Sequence, residues 1–275
     1  MVYRLAYSSA DNVGDKLNPY IFERVLGVRV EHVSLHSYNI DILGIGSSLR
    51  MFQSHIRKKE RLKHWIGLHR PMNVWGTGFI CAEGPNEAPF NRKMRFLAVR
   101  GEMSKDRVER LTGRKLGADF PTGDGGILTA QLFDKPIHKR CELGIIPHFS
   151  EQDAPAFQKL LSLSPNAKLI DITGDVMETC EMIASCEYIL SSSLHGLIIA
   201  DSFGIPNLHV KATDRMRGDG FKFMDYYSAY GLRDDAVDLN QDALPAINDI
   251  IDRYRIDRGL VEEKKKRLVA CFSLR

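Results

Sequence analysis

The chain has 275 residues, of which 44% are hydrophobic and 27% are charged. This composition is typical of a globular protein, and the length suits one large domain or two modest ones. The 38 basic and 35 acidic residues leave a formal net charge of only +3. Bulk charge therefore gives no reason to expect nucleic-acid binding.

Segments that would direct the chain to or across a membrane are not evident in the sequence. No apolar run approaches the roughly 20 residues that a membrane span requires. Residues 1–5 lead straight into a strand-like run, so we expect no secretory signal. The five cysteines form no C-x-x-C pair and are odd in number, which favours buried thiols in a reducing compartment over disulfides or a zinc site. We therefore expect a soluble, cytoplasmic protein.

Short apolar runs alternate with helix-like stretches along the first half of the chain. The predicted strands are Val2–Tyr7, Val28–Val33, Asp41–Gly46, Asn73–Gly78 and Phe96–Arg100, and the predicted helices are Lys16–Leu26 and Glu102–Leu111. This β–α alternation predicts a parallel sheet flanked by helices.

The same pattern restarts after the polar stretch Phe133–Pro136. The predicted strands are Leu143–Pro147, Lys168–Ile172, Tyr188–Leu190 and Asn207–Val210, and the predicted helices are Ala154–Leu163, Val176–Ser185, Leu194–Phe203 and a last segment from Asp242 to about Leu268. We therefore predict an α/β protein with two Rossmann-like domains facing a cleft. The domains would be residues 1–137 and 138–275, with the terminal helix packing back on the first.

The most informative segment is the run of three serines that precedes Leu194, His195 and Gly196. An apolar strand ends just before the serines and an apolar helix follows, so Ser193 can cap that helix. A helix that begins at the carboxyl edge of a parallel sheet favours phosphate or carboxylate at its N-terminus. His195 in the first turn can add charge or a proton. The alternative is that Ser193 caps the helix and His195 bonds a neighbouring carbonyl, with no ligand involved.

A second polar turn, Asn12-x-Gly14-Asp15, begins a helix directly after the first strand. Asp15 can be a helix cap, or it can be a carboxylate that faces the cleft and takes a proton from a hydroxyl. The spacing alone leaves both possibilities open.

Other polar residues are predicted at the ends of strands. Arg100 is suited to hold a carboxylate or phosphate through two parallel hydrogen bonds, although a surface ion pair is an equally good interpretation. Lys222 lies within an aromatic run that suits a sugar or anion platform, or a helix that packs its aromatic side chains. Further cleft-lining candidates are Asn12, Gly14, Gly76, Thr77 and His148.

Taken in order, these segments resemble the polysaccharide pyruvyl transferase family. The matching pieces are Asn12-x-Gly14-Asp15, Trp75-Gly76-Thr77-Gly78, Val99-Arg100-Gly101-Glu102, Gly123-Asp124, Pro147-His148, Ser193-Leu194-His195-Gly196 with Gly204-Ile205-Pro206, and Lys222-Phe223. They extend over most of the chain, and the Ser-Leu-His-Gly piece is the most specific.

The resemblance implies a two-domain architecture like that of GT-B glycosyltransferases. It also implies transfer of a pyruvyl group from phosphoenolpyruvate to a pair of sugar hydroxyls in an exopolysaccharide or its lipid-linked precursor, which gives a cyclic ketal. His195 and Asp15 would be catalytic, as acid or phosphate contact and as base. The donor would contact Arg100, Lys222 and the segment from Ser193 through Leu194 to Gly196. Some family members carry arginine where this chain has Ser193, so either one positive contact to the donor is missing here, or Lys222 or another arginine supplies it.

No residue cluster in the sequence demands a metal, and we expect metal-independent chemistry with no cofactor beyond the donor. The basic stretch Arg57–Lys63 suits peripheral contact with the inner membrane surface, or an ordinary solvated helix face. Lys264–Arg267 is predicted to be a solvated face. The rival functions are a GT-B-type glycosyltransferase that uses a nucleotide sugar and a non-catalytic polysaccharide-assembly protein.

Overall fold

The computed structural model describes residues 1–53, 71–85, 87–215, 218–240 and 243–272. Two parallel sheets of five strands each form the framework. The prediction of an α/β chain with a parallel sheet in each half is therefore confirmed. The basic stretch Arg57–Lys63 lies outside the described residues.

The first sheet has the strand order β2-β1-β3-β4-β5, and all of its described pairs are parallel. Its strands are β1 (Tyr3–Ala6), β2 (Val30–Val33), β3 (Ile42–Leu43), β4 (Met72–Val74) and β5 (Met94–Phe96). Helix α1 (Val13–Tyr20) continues as a π-helix over Ile21–Val25, and helix α2 (Glu102–Thr112) follows β5. Two 3₁₀ helices cover Leu49–Phe52 and Gly125–Leu132.

The second sheet has the order β10-β9-β8-β6-β7 and is also parallel. Its strands are β6 (Cys141–Ile146), β7 (Ala167–Leu169), β8 (Cys186–Ser191), β9 (Asn207–Lys211) and β10 (Val237–Asp238). The helices of this half are α3 (Pro155–Leu160), which continues as a 3₁₀ turn over Leu161–Leu163, α4 (Val176–Ala184), α5 (Leu194–Ser202), α6 (Phe221–Ser228), α7 (Ile247–Arg253) and α8 (Arg258–Cys271).

Some sequence-based boundaries differ from the structure. The strand predicted at Phe96–Arg100 lies earlier, at Met94–Phe96. The helix predicted from Asp242 to about Leu268 is two helices, since the backbone of Tyr254 is extended and Asp257 caps α8 through a hydrogen bond from Leu260 N. A short aspartate side chain at this position competes with continued helix, which is why a new helix begins there.

An apolar core joins the two halves of the chain. One cluster includes Leu5 and Phe22 from the first half together with Leu197 and Ile198 from α5. Two further clusters lie on the first sheet and on the second sheet separately. The two sheets are therefore fixed against each other by buried side chains, and the first turns of α1 and α5 meet at their boundary.

The terminal helix α8 packs on residues of the first half. The indole Nε1 of Trp75 donates to the carbonyl of Leu268 at 3.0 Å, and Lys264 Nζ donates to the carbonyl of Thr122 at 3.1 Å. Lys265 is buried, with its Nζ 2.7 Å from the carbonyl of Ser202. The prediction that Lys264–Arg267 is a solvated face is therefore wrong, because two of its lysines bond buried backbone carbonyls. The domain boundary itself stays a prediction, placed between the 3₁₀ helix that ends at Leu132 and the start of β6.

Candidate active site

The carboxyl edges of the two sheets face each other, and the candidate residues collect at this boundary. Val13 N at the start of α1 donates to the carbonyl of Ile172, beyond β7, at 2.7 Å. In the first sheet, parallel bridges continue past the strand ends, and they link Gly46 to Thr77, Thr77 to Val99 and Val99 to Thr122. The loops that follow these bridges are thereby held in one row. Ligands in open α/β sheets bind at such an edge.

Asp15 lies in the first turn of α1 and is held by the residue that caps this helix. The Asn12 side chain accepts a hydrogen bond from Asp15 N at 3.0 Å and donates to Asp15 Oδ2 at 2.6 Å. A Cβ on Gly46 would stand 3.0 Å from Asp15 Oδ1, so only a residue without a side chain leaves room there. Burial raises the pKa of Asp15 to about 6. Asp15 is therefore both a helix residue and a carboxylate that exchanges a proton near neutral pH.

His195 lies in the first turn of α5, directly after the serines that follow β8. Its Nε2 is buried and has no hydrogen-bond partner among the described residues. Burial, with the nearby charges of Lys222 and Arg100 and with His148, lowers the pKa of His195 to about 3. The isolated imidazole is therefore neutral at physiological pH.

Gly14 brings Asp15 and His195 into one site. A Cβ on Gly14 would overlap the imidazole of His195 at Nδ1 and Cγ. The ring of a second-half residue thus packs directly on the backbone of α1, one residue from Asp15. The cleft between the predicted domains is closed to contact distance at this point.

The site has two cations, and one of them is Lys222 on α6. Among the described residues its ammonium has a ring contact, with Nζ 5.1 Å from the centroid of Phe223, and no hydrogen bond or ion pair. Burial and the charge of Arg100 lower its pKa to about 8, while Asp15 and Glu151 act in the opposite direction. At neutral pH the ammonium is charged and keeps its donors free for an anion. The aromatic neighbours Phe221, Phe223 and Tyr226 are buried, so they pack α6 and form no platform.

Arg100 is fully buried and already has several partners. Its Nε donates to Asp225 Oδ2 at 2.9 Å, and its two terminal nitrogens donate to Ser47 Oγ at 2.6 Å and to the Phe79 carbonyl at 2.5 Å. Asp225 also accepts from Ser104 N and Ser104 Oγ. These bonds tie α6, and with it Lys222, to the start of α2. The predicted donor contact of Arg100 stays a prediction, and its charge acts on His195 and Lys222.

The other predicted residues shape the backbone around these side chains. The side chain of Ser193 makes no capping bond, and that of Leu194 belongs to the core, so α5 offers its backbone N–H groups. A Cβ on Gly196 would overlap Ser191 Oγ, and one on Gly76, where φ is +69°, would stand 2.8 Å from Gly125 N. Thr77 is fully buried and bonds the Gly46 carbonyl at 3.0 Å.

His148 follows β6 and is buried beside this site. Its backbone N donates to Ser192 Oγ at 2.8 Å, and its Nδ1 lies 2.8 Å from Ser150 Oγ. Burial and Lys222 lower its pKa to about 3. His148 is therefore a neutral hydrogen-bonding group, and the charge of Lys222 acts on it.

Sequence reasoning assigned no role in the site to three carboxylates that lie in this region. Asp225 pairs with Arg100, Glu151 acts on the charge of Lys222, and Asp124 is fully buried before the 3₁₀ helix. Burial raises the pKa of Asp124 to about 7. Asp124 had a signal in the sequence, since Gly123-Asp124 is one of the pieces that match the family. Asp225 and Glu151 belong to none of those pieces.

The combined site has two cations, two neutral imidazoles and carboxyl groups whose protons are exchangeable near neutral pH. This set suits a small anion with more than one acidic group, held beside a proton donor and a base. Within the described ranges, no three His, Cys, Asp or Glu side chains are grouped so as to hold a metal ion. Over the same ranges, no helix is long and apolar enough to cross a membrane.

The family model described as polysaccharide pyruvyl transferase matches residues 129–212. The resemblance predicted from the sequence is confirmed over this segment. It runs from the 3₁₀ helix before β6 to the end of β9 and contains both His148 and His195. The matched segment therefore includes the two histidines of the site and ends before Lys222.

Two known proteins are similar to the chain. An uncharacterized protein of Acanthamoeba polyphaga mimivirus is 34% identical over 163 residues, which cover 54% of this chain and 55% of that protein. The match thus spans about half the length of the curated relative. A solved structure of a functionally uncharacterized protein from Klebsiella pneumoniae is 15% identical, with 82% of this chain and 87% of that chain covered and a TM-score of 0.45.

Proposed function

We propose that the protein transfers the pyruvyl group of phosphoenolpyruvate to two hydroxyls of one sugar, in an exopolysaccharide or its lipid-linked precursor, and so forms a cyclic ketal. The observation that carries this proposal is the meeting of Lys222, His195 and Asp15 at the edge of a segment that matches the pyruvyl transferase family. We also propose that the two halves work as the facing domains of a GT-B-like enzyme.

The donor carries a carboxylate and a phosphate on three carbons, so its site needs concentrated positive charge. Lys222 supplies an ammonium that is free of described hydrogen-bond partners, and the buried guanidinium of Arg100 adds a second positive charge. The first N–H groups of α5 add a partial positive charge, since the Ser193 side chain does not cap them. We assign to Lys222 the role that an arginine before the Leu-His pair has in other family members.

The chemistry divides into an addition and a substitution. One acceptor hydroxyl attacks C2 of the enol phosphate while a proton is added to the methylene carbon, which gives a tetrahedral centre that still carries phosphate. The second hydroxyl then attacks C2, the bond from C2 to the phosphate oxygen breaks, and phosphate leaves. Two hydroxyl protons are released and one proton is consumed by carbon, so the reaction needs a base and an acid held together.

Asp15 suits the base and His195 the acid or phosphate contact. A carboxyl with a pKa of about 6 is mostly ionised at pH 7 and is a stronger base than an exposed aspartate. Contact between His195 and Gly14 keeps the imidazole next to this carboxylate. We propose that neither a metal nor a further cofactor takes part.

The acceptor also bears on where the enzyme works. A lipid-linked acceptor would place the reaction at the cytoplasmic face of the inner membrane, with the basic stretch Arg57–Lys63 in peripheral contact. This localisation is part of the proposal and does not depend on the site residues.

The decisive experiment is a thermal-shift titration with phosphoenolpyruvate, set beside UDP- and GDP-sugars. We compare the wild type with Lys222→Met, which keeps the length of the side chain and removes its charge. Lys168→Met makes the same change on an exposed strand residue and is the matched control. A ligand at 100 times its Kd adds about 2.7 kcal/mol to the free energy of unfolding, which raises Tm measurably.

We expect phosphoenolpyruvate to raise the Tm of the wild type and of Lys168→Met, and to leave that of Lys222→Met unchanged. A shift with a nucleotide sugar and none with phosphoenolpyruvate would contradict the proposal in favour of glycosyl transfer. Binding of phosphoenolpyruvate without ketal formation on any acceptor would favour the non-catalytic assembly protein.

A further inference from the structure

Two buried polar atoms of the site, on side chains that both approach Gly126, lack a hydrogen-bond partner in the described part of the chain. Asp124 Oδ2 and His195 Nε2 are among the four buried side-chain atoms that lack a hydrogen-bond partner within the described residues. A buried polar atom without a partner costs about 1–3 kcal/mol, so each of these atoms is expected to gain one. Asp124 comes from the first half and His195 from the second.

The Asp124 carboxylate is held in place by the backbone that follows it. Its Oδ1 accepts a hydrogen bond from Gly126 N at 2.9 Å and so caps the 3₁₀ helix at Gly125–Leu132. This bond uses one oxygen and leaves Oδ2 available. Asp124 is fully buried, so bulk water does not compete for Oδ2.

Gly126 also shows that the imidazole lies beside this carboxylate. A Cβ on Gly126 would stand 3.2 Å from Asp124 Oδ1 and 3.8 Å from His195 Cδ2. Cδ2 is bonded to Nε2, so the ring edge that carries Nε2 is on the Asp124 side. The opposite edge, with Nδ1, lies against Gly14 of α1.

The charged groups around His195 disfavour its protonated form, so the imidazole needs a hydrogen-bond partner to carry a proton. His195 faces Lys222 on α6, Arg100 after β5 and His148 after β6, and these groups together with burial lower its pKa. Asp124 faces Arg100, Asp225 and Asp15, and burial dominates in raising its pKa. An imidazole in this setting is a poor proton carrier by itself. An adjacent carboxylate would orient the ring and stabilise its protonated form.

We infer that Asp124 is the positioning residue of His195: a small rotation of either side chain brings Asp124 Oδ2 to His195 Nε2, the two atoms then share one proton, and this bond fixes the ring with Nδ1 toward α1 and the ligand. What the pair does in the reaction rests on the proposed function. There, Nδ1–H would give its proton to the methylene carbon while Asp124 passes its own proton to Nε2. The imidazole ends neutral, Asp124 ends ionised, and the pair regains a proton from solvent.

The test is NMR of the ¹⁵N-histidine-labelled full chain without donor or acceptor, with the His195 signals assigned by their loss in His195→Gln. At pH 8.5, with Asp124 ionised, we expect the wild type to carry its proton on Nε2. In Asp124→Asn the amide oxygen can still cap the 3₁₀ helix while the amide N–H donates to Nε2, so the proton should move to Nδ1.

Asp119→Asn removes the same charge from an exposed residue five positions earlier and is the matched control. It should leave the tautomer of His195 as in the wild type. Should Asp124→Asn not fold, the wild-type tautomer at pH 8.5 still tests the inference, because a proton on Nδ1 would overturn it. A tautomer unchanged in folded Asp124→Asn would also overturn it.

These outcomes separate the pairing from the proposed function. Should phosphoenolpyruvate fail to bind while Asp124→Asn changes the tautomer, the proposed function is wrong and the pairing stands. Should the donor bind while the tautomer is unaffected, the proposed function stands and Asp124 only caps the 3₁₀ helix.

Discussion

One helix in each half begins directly after a strand at the boundary between the sheets, and the first turns of these two helices differ. Helix α1 follows β1 and is capped by the side chain of Asn12, with Asp15 in its first turn. Helix α5 follows β8, its N-cap Ser193 makes no side-chain bond to the helix, and its first turn holds no acidic residue. A side chain therefore bonds a backbone N–H group in the first turn of α1, and no capping side chain does so in the first turn of α5.

This difference assigns the two sides of the candidate site to different chemistry. The carboxylate of α1 repels an anion and suits a hydroxyl that must lose a proton. The open N–H groups of α5, with Lys222 nearby, attract an anion. In the proposed function the first turn of α1 would serve the acceptor and that of α5 the donor, and Gly14 is where the two turns touch.

The largest expected effect on turnover comes from a substitution at Gly14 that pushes the His195 ring away from α1. In Gly14→Ala the new Cβ would overlap the His195 ring, so the imidazole must move away from Asp15. A displacement of about 1 Å in a catalytic group can reduce turnover about 100-fold, and we expect a loss of this size in kcat. The measurement is the rate of ketal formation at saturating donor and acceptor.

Gly84→Ala is the control for that variant, since a Cβ on Gly84 meets no atom within 4 Å. It should keep the wild-type rate. Near-wild-type turnover in a folded Gly14→Ala protein would mean that the contact between the two first turns has no part in catalysis.

A smaller effect, on the Kd for phosphoenolpyruvate, is expected from loss of the Lys222 charge near α5. Lys222 has a lowered pKa of about 8, so its ammonium loses its proton as the pH rises through that value, and donor binding is lost with it. The Kd for phosphoenolpyruvate should increase by up to about tenfold for each pH unit above 8. In Lys222→Arg the guanidinium stays charged and this increase should disappear.

Calorimetric titrations between pH 7 and 9.5 on both proteins would measure this difference. Parallel pH dependence in the wild type and Lys222→Arg would assign the alkaline change to another group. The anion would then not depend on Lys222.

Sequence reasoning found the fold and the first turns of both helices, because local patterns determine them. The β–α alternation predicts both parallel sheets, and the serine run before His195 and the Asn12-x-Gly14-Asp15 turn stand directly after strands. Partners of these residues depend on tertiary contacts that no local pattern contains. Asp225 reaches Arg100 from 125 positions away, and Asp124 lies beside His195 because the 3₁₀ helix packs on α5. For the same reason the sequence leaves Arg100 open between an anion contact and a surface ion pair, whereas the structure shows it buried and paired with Asp225.

The smallest expected effect tests the comparison of the two caps directly. Asn12→Ala removes the bond to Asp15 N and should lower the free energy of unfolding by about 1 kcal/mol. The buried Ser193 side chain makes no capping bond, so Ser193→Ala should cost less than Asn12→Ala, about 0.5 kcal/mol or below. Urea unfolding at pH 7 measures both values under the same conditions. Equal losses, with Ser193→Ala near 1 kcal/mol, would mean that Ser193 closes α5 as Asn12 closes α1, and the N–H groups of α5 would then not be open to the donor.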